Sequence, residues 1–358
     1  MHVPIAETCI KHRRNLVTAS YISPAMQALN EKAIKADILL LNEIGLDPGL
    51  DHLAAMKMIN EAREQGWSVE SFVSWCGGLP APEDSSNILG YKFSWSPKGV
   101  LLATQNDAQF LQNGQVIKIP GNELLTAAQR LTDLNPGFAF EGLPNRDSLK
   151  YQNLYGLSDA HLKTMFRGTL RYSGFSSLMH QFKQLGLLQS EKRELKENWL
   201  EYFKSQSGLK EISATSLMIH LGLTSEEAER LFAALKWLGV LDTTLRPSQA
   251  APIDNFCSLL QDKLKYQAGE RDLVYLHHEF LFRDQNGRQH CKTLTLCEYG
   301  DPKGFSAMAR TVGYPVAVAA KLILDGKIQA KGVTAPLSKE FYASILEELS
   351  TSCNIVFK

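Results

Sequence analysis

Three observations in these 358 residues predict an α/β fold. Short apolar runs alternate with helical periodicity near the start. Two Asn-Gly dipeptides sit between apolar segments of strand character, and one long central stretch carries a helical stripe almost without break. The first implies parallel strands joined by helical crossovers, the second a mixed sheet with hairpins, and the third a helical insert.

Residues 4–13 read as the end of a helix and residues 15–19 as a buried strand. After the loop Ser20-Tyr21-Ile22-Ser23, Pro24 opens a helix to about Lys35 with Met26, Leu29, Ala33 and Ile34 on one face. The run Ile38-Leu39-Leu40-Leu41 is a second strand, and the eleven residues NEIGLDPGLDH join it to a helix expected from Leu53. Gly45, Pro48 and Gly49 suit a tight strand-to-helix turn, and Asp51 or His52 can cap the helix. Ligands of open α/β sheets bind at such strand ends. The order is that of the second half of a Rossmann-type sheet. No G-x-G-x-x-G loop for a pyrophosphate occurs in the sequence, so the first strands of such a domain are expected to be absent.

Residues 69–75 alternate, 91–95 form a short aromatic strand candidate, and Asn113-Gly114 marks a hairpin. Residues 273–282 and 290–298 flank a second hairpin at Asn286-Gly287. Both hairpins are expected in one mixed sheet. Between them, about residues 159–250 read as a helical insert, with helices at 161–167, 176–188, 191–205, 214–221 and 225–238. Part of it has the spacing of a helix-turn-helix, but Glu226, Glu227 and Glu229 would repel a phosphate backbone. A small-residue-rich helix over 304–325, a helix over 339–349 and a strand-like 355–357 are expected to fold back onto the first sheet.

Lys plus Arg and Asp plus Glu each number 38, so no field of one sign attracts nucleic acid or an acidic membrane. No stretch reads as a membrane span, and the N-terminus lacks the order of a secretory signal. The six cysteines show no metal spacing, which points to reduced thiols in a cytosol-like compartment and to no metal.

Three groups converge if the strand ends are read correctly: Thr18-Ala19-Ser20-Tyr21, the pair Glu43 and Asp47, and the arginines Arg146, Arg167 and Arg171. Arginine forks match carboxylates, and a ligand with several carboxylates needs more than one. Cys76, in WCGGLP after a strand, has no neighbouring histidine in sequence and reads as a small residue at a close-packed turn. His52, His161 and His180 show no triad or metal spacing, and one of His277 and His278 is expected to face solvent.

The segments TASYISPAM, NEIGLDPGLDH, WCGGLPAPEDSSNILGYKFSWSPKGVL, EGLPNRDSLKY, RGTLRYSG and YGDPKGFSAMARTVGYP strongly resemble the glutamate-forming saccharopine dehydrogenases, including the dehydrogenase half of bifunctional aminoadipic semialdehyde synthase. The resemblance implies a homodimer in lysine metabolism that interconverts saccharopine with glutamate and aminoadipic semialdehyde using NAD or NADP. It implies three parts: residues 1–50, joined by 310–358, as the back half of the Rossmann domain; 51–158 and 251–309 as a mixed α/β substrate and dimerisation domain; and 159–250 as the helical insert. It also places Thr18, Ala19, Ser20, Tyr21 and Asp47 on the cofactor. Ser20, Tyr21, Asp47, Cys76, Gly77, Arg146, Arg167, Gly168 and Thr169 fall on saccharopine, with Asp47 and Tyr21 as proton-transfer candidates. A cytoplasmic location is expected, or a mitochondrial one for a bifunctional eukaryotic parent. Little activity is expected of a chain without the glycine-rich loop. Two alternatives stay open: a dehydrogenase acting on another secondary amine, of the carboxynorspermidine type, and a non-catalytic dimerising remnant.

Overall fold

The computed structural model describes residues 2–157 and 161–358. Helix α1 (His2–His12) leads to strand β1 (Leu16–Val17). The single helix expected to Lys35 is two, α2 (Pro24–Gln27) and α3 (Asn30–Lys35). The break frees Asn30, whose Oδ1 accepts the amide of Val333, 2.9 Å away in the returning tail. Strand β2 (Leu39–Leu41) precedes α4 (Leu50–Glu64), which starts three residues before the expected Leu53. Asp51 causes the early start: its Oδ1 accepts the amides of Gly49 and His52, at 2.6 and 2.8 Å.

Next come β3 (Ser68–Pro80), α5 (Pro97–Ala103), β4 (Ala108–Gln112), β5 (Gln115–Ile119), β6 (Gln129–Arg130), β7 (Phe140–Pro144) and α6 (Lys150–Leu154). Residues 91–95 form no strand. Asn87 instead holds the backbone there through Leu89 and Tyr91, and Tyr91 sinks into the helical core. Strand β8 (Thr164–Tyr172) replaces the helix expected at 161–167. Parallel pairing with β3 overrides the local helical stripe. The start of the expected insert, Asp159, lies outside the described residues.

Helices α7 (Phe175–Gln184), α8 (Trp199–Ser207), α9 (Ala214–Leu221), α10 (Ser225–Leu238) and α11 (Pro252–Lys263) pack around one apolar core. Helix α8 begins at Trp199, not at 191, because Asn198 caps it by accepting the amide of Glu201. Strands β9 (Asp272–Arg283) and β10 (Gln289–Tyr299) make the second expected hairpin, followed by α12 (Ala307–Leu324), β11 (Gly332–Thr334) and α13 (Lys339–Cys353). Both His277 and His278 of β9 are buried, against the expectation that one faces solvent. Residues 355–357 join no strand, although Lys358 exchanges two backbone hydrogen bonds with Thr295 of β10. Helix α12 has the length and mean hydropathy, 1.3, of a membrane span, which the sequence reading did not find. Here it packs against α13, β9 and β1.

A three-stranded parallel sheet runs β1-β2-β11. The tail thus pairs with the first strands, as β11 does with β2. The eight-stranded mixed sheet runs β10-β9-β3-β8-β4-β5, with β7 pairing β8 and β6. Both Asn-Gly turns lie in it, and Asn113 and Gly114 adopt φ of 51° and 79°, as the tight hairpin requires. Leu53, Ile59, Phe72, Leu276, Val318 and Ile345 fill the space between the sheets. At roughly 1.5–3 kcal/mol for each large apolar side chain buried, this layer fixes how the β2 tip faces β3 and β8.

Candidate active site

The loop after β2 folds on itself before α4. The amide of Gly45 donates to the Pro48 carbonyl (2.9 Å), and that of Leu50 donates to the Gly45 carbonyl (2.8 Å). Gly49, at φ 148°, passes so close that a β-carbon would lie 2.0 Å from the Gly45 oxygen. The Asp47–Pro48 peptide is cis. This turn aims Asp47 at β8, where Arg167 Nη2 donates to Asp47 Oδ1 and, at 2.6 Å, to Asp51 Oδ2. The Arg167 guanidinium is buried and lies 4.0 Å above the Tyr151 ring.

A second buried chain runs beside it. Glu43 Oε1 accepts the amide of Ile22 (2.8 Å), Glu43 Oε2 meets His52 Nε2 (2.9 Å), and His52 Nδ1 meets the Tyr155 hydroxyl (2.9 Å). Burial pushes the Glu43 carboxyl up, but the hydrogen bonds of His52 and Ile22 outweigh it and hold its pKa below the usual value. Through Glu43, His52 therefore ties Ile22 to Tyr155. The sequence reading set this histidine aside. Its signal was position: Glu43 and His52 bracket one tight loop.

A cavity of about 330 Å³ opens in front of these groups. Of the residues expected at the site, Ala19, Tyr21, Asp47, Cys76, Gly77, Arg146, Thr169 and Arg171 line it. Besides Glu43, four others are not among its lining residues. Thr18 accepts the Ser20 amide, and Ser20 Oγ meets His2 Nε2. Gly168 lies against Trp75 on the far face of β8, and Arg167 serves Asp47 and Asp51. Cys76 and Gly77 lie within β3, not on a turn after a strand, because β3 runs on to Pro80. Sequence reasoning also missed Lys150, whose ammonium sits 5.0 Å from the Tyr21 ring and 4.9 Å from that of Tyr151. Crowding around its ammonium, followed by the Arg167 charge, lowers its pKa although the residue as a whole is exposed.

These environments set what each group can do. Tyr21 is 41% exposed, yet the crowding around its hydroxyl, followed by the charge of Asp47, raises its pKa. It stays a hydrogen-bond donor. Burial, followed by Asp47, pushes the Cys76 thiol well up, so it is no nucleophile at neutral pH. Among the described residues no group of three or more His, Cys, Asp or Glu could hold a metal ion. A second cavity of about 220 Å³, walled by Trp75, Phe110 and Phe166, carries no charged side chain and does not suit an anionic ligand.

The sequence profile described as the saccharopine dehydrogenase C-terminal domain matches residues 45–354. The mouse protein named alpha-aminoadipic semialdehyde synthase, mitochondrial, is 42% identical over 364 residues, covering 100% of this chain and 39% of that protein. The saccharopine dehydrogenase [NADP(+), L-glutamate-forming] of Pyricularia oryzae is 40% identical over 368 residues, covering 100% of this chain and 81% of its own length. The apo saccharopine dehydrogenase (L-Glu forming) of Saccharomyces cerevisiae superposes with a TM-score of 0.92 at 39% identity, over 100% of this chain and 81% of that one. With the profile spanning most of the chain and relatives of this identity matched along it, the chain belongs to the saccharopine dehydrogenase family.

Proposed function

We propose that this cavity is the saccharopine site of an NADP-linked, L-glutamate-forming dehydrogenase of lysine metabolism. The observation that carries the reading is the convergence of Asp47, from the tip of β2, with Arg146 and Thr169 around one cavity, Asp47 being held from behind by Arg167. Saccharopine is lysine joined to glutarate through a secondary amine, with three carboxylates, and such a ligand needs guanidinium partners around an amine-binding acid.

The rim formed by Ala19, Leu46, Pro48 and Val312 is apolar and lies at the end of β1. It fits the flat ring of a nicotinamide, and Gly45, where a β-carbon would come 2.8 Å from Ala19 Cβ, keeps that rim low. A nicotinamide bound there would accept the hydride from the carbon beside the amine on the lysine side. The resulting imine adds water, and collapse of the carbinolamine breaks the C–N bond to leave glutamate and aminoadipic semialdehyde. Arg146 anchors a carboxylate and Thr169 offers a hydroxyl, which together align the reacting C–H bond. Asp47 orients the amine and exchanges its proton, and Tyr21 donates a hydrogen bond. Arg167 acts through Asp47.

The names of the fungal relatives support NADP over NAD. The same family reading supports a homodimer, which sedimentation would test, and a three-part division, in which β8 (Thr164–Tyr172) goes with the mixed sheet and α11 (Pro252–Lys263) with the helical core rather than being divided at 158 and 250. The test of function is calorimetric titration with saccharopine, followed by product analysis with NADP. Saccharopine binding, with glutamate and aminoadipic semialdehyde as any products, supports the reading. No binding at millimolar saccharopine, or release of lysine and 2-oxoglutarate, rejects it.

A further inference from the structure

Resting on that reading of the cavity, we propose that Arg171 is a carboxylate anchor for the substrate and fixes the preference for a polycarboxylated amine. Strand β8 projects Arg167, Thr169 and Arg171 to one side, two residues apart. The two arginines have opposite situations. Arg167 is neutralised by Asp47 and Asp51 and stands behind the cavity wall. Arg171 lines the cavity with Thr169 and Arg146.

Arg171 is only 5% exposed, and no carboxylate among the described residues lies within ion-pair distance of it. Its Nη1 donates to the neighbouring Leu170 carbonyl at 2.6 Å, and its buried Nε has no partner. Glu141 faces it across the β7–β8 register. Both Glu141 oxygens are occupied instead by the amides of Gly174 and Ser176 at the start of α7, each at 2.7 Å. The rings of Tyr91 and Phe175, 4.9 and 5.3 Å from the guanidinium carbon, hold its plane without supplying a full charge. A buried cation without a counter-charge is costly to a fold. Its fork is preorganised for a planar anion, and a substrate carboxylate entering the cavity provides one. Arg146, at φ 49° and likewise without a carboxylate partner among the described residues, receives another carboxylate of the same ligand.

The test is calorimetric titration of the full chain with saccharopine for the unsubstituted protein, Arg171→Met and Arg171→Lys, with thermal unfolding of each in the absence of ligand. A charge-assisted hydrogen bond carries enough energy to make the expected loss of affinity in Arg171→Met about tenfold to hundredfold. Arg171→Lys should recover part of it, since the charge remains and the fork is lost. The ligand-free unfolding temperature of Arg171→Met should match or exceed that of the unsubstituted protein, because no ion pair is removed. Saccharopine affinity within twofold of the unsubstituted chain in Arg171→Met overturns the proposal. Should Arg171→Met fail to fold, full affinity in Arg171→Lys overturns it equally. An unsubstituted chain that binds no saccharopine removes the functional reading and this anchor with it. Binding indifferent to residue 171 removes the anchor alone.

Discussion

Replacing Arg167 by Met isolates the buried arginine–carboxylate cluster. Methionine keeps an unbranched apolar stem against Tyr151 but deletes the charge shared by Asp47 and Asp51. The side chains of Arg167, Asp51 and Asp47 are 4, 1 and 15% exposed, so Asp51 is left as a dry charge while Asp47 can recruit water. Breaking a buried pair by removing one partner costs about 3–5 kcal/mol. Asp51 keeps two backbone donors, Gly49 and His52, which places the expected loss near the lower end, about 3 kcal/mol. Urea unfolding followed by tryptophan fluorescence reads this as a lower midpoint at unchanged slope. Adding Asp51→Asn to Arg167→Met should restore part of the loss, because the stranded charge goes with it. A loss below about 1 kcal/mol, or no restoration in the double variant, would refute the view that this cluster is a mutually neutralised buried unit.

Three further expectations concern His278, Cys76 and Gly49. His278 is fully buried, its pKa lowered to about 3 by burial and then by Arg167, so the native state leaves it neutral where the unfolded chain protonates it. Stability should therefore fall as pH drops below about 6.5, by about 2 kcal/mol at pH 5, with His277 adding in the same direction; His278→Phe should flatten that slope, and an unchanged slope would count against it. Iodoacetamide at neutral pH should modify exposed Cys291 and spare Cys76, whose thiol burial holds protonated; mass-spectrometric labelling of Cys76 at a comparable rate would contradict this. Gly49→Ala should lose at least about 3 kcal/mol in urea unfolding, since a β-carbon there meets the Gly45 backbone at φ 148°, and a loss under about 1 kcal/mol would show that the turn relaxes freely.

The sequence was legible where structure is decided locally. Asn113-Gly114 and Asn286-Gly287 set their hairpins through the conformations those residues allow. Ser213 and Thr224 close capping boxes at α9 and α10, whose boundaries match the periodicity. The start of strand β8, residues 164–167, was read as helix because its burial follows its neighbours β3, β4 and β7 rather than simple alternation. At the site, Asp47, Tyr21, Arg146 and Thr169 were found as lining residues, since each sits at a turn or strand with recognisable chemistry. The different fates of Arg167 and Arg171 were not legible. They depend on Asp47 and Asp51, over a hundred residues earlier in the chain, and on which oxygens of Glu141 are already occupied. Spacing within RGTLRYSG carries neither fact.

The division of labour among the arginines is decided by a crystal structure of the chain with saccharopine. The expected result is a ligand lodged between Asp47 and Arg146, a carboxylate on Arg171, and Arg167 still paired to Asp51. Saccharopine bound outside this cavity, or Arg167 withdrawn from Asp51 to grip a ligand carboxylate while Arg171 stays unengaged, would contradict it.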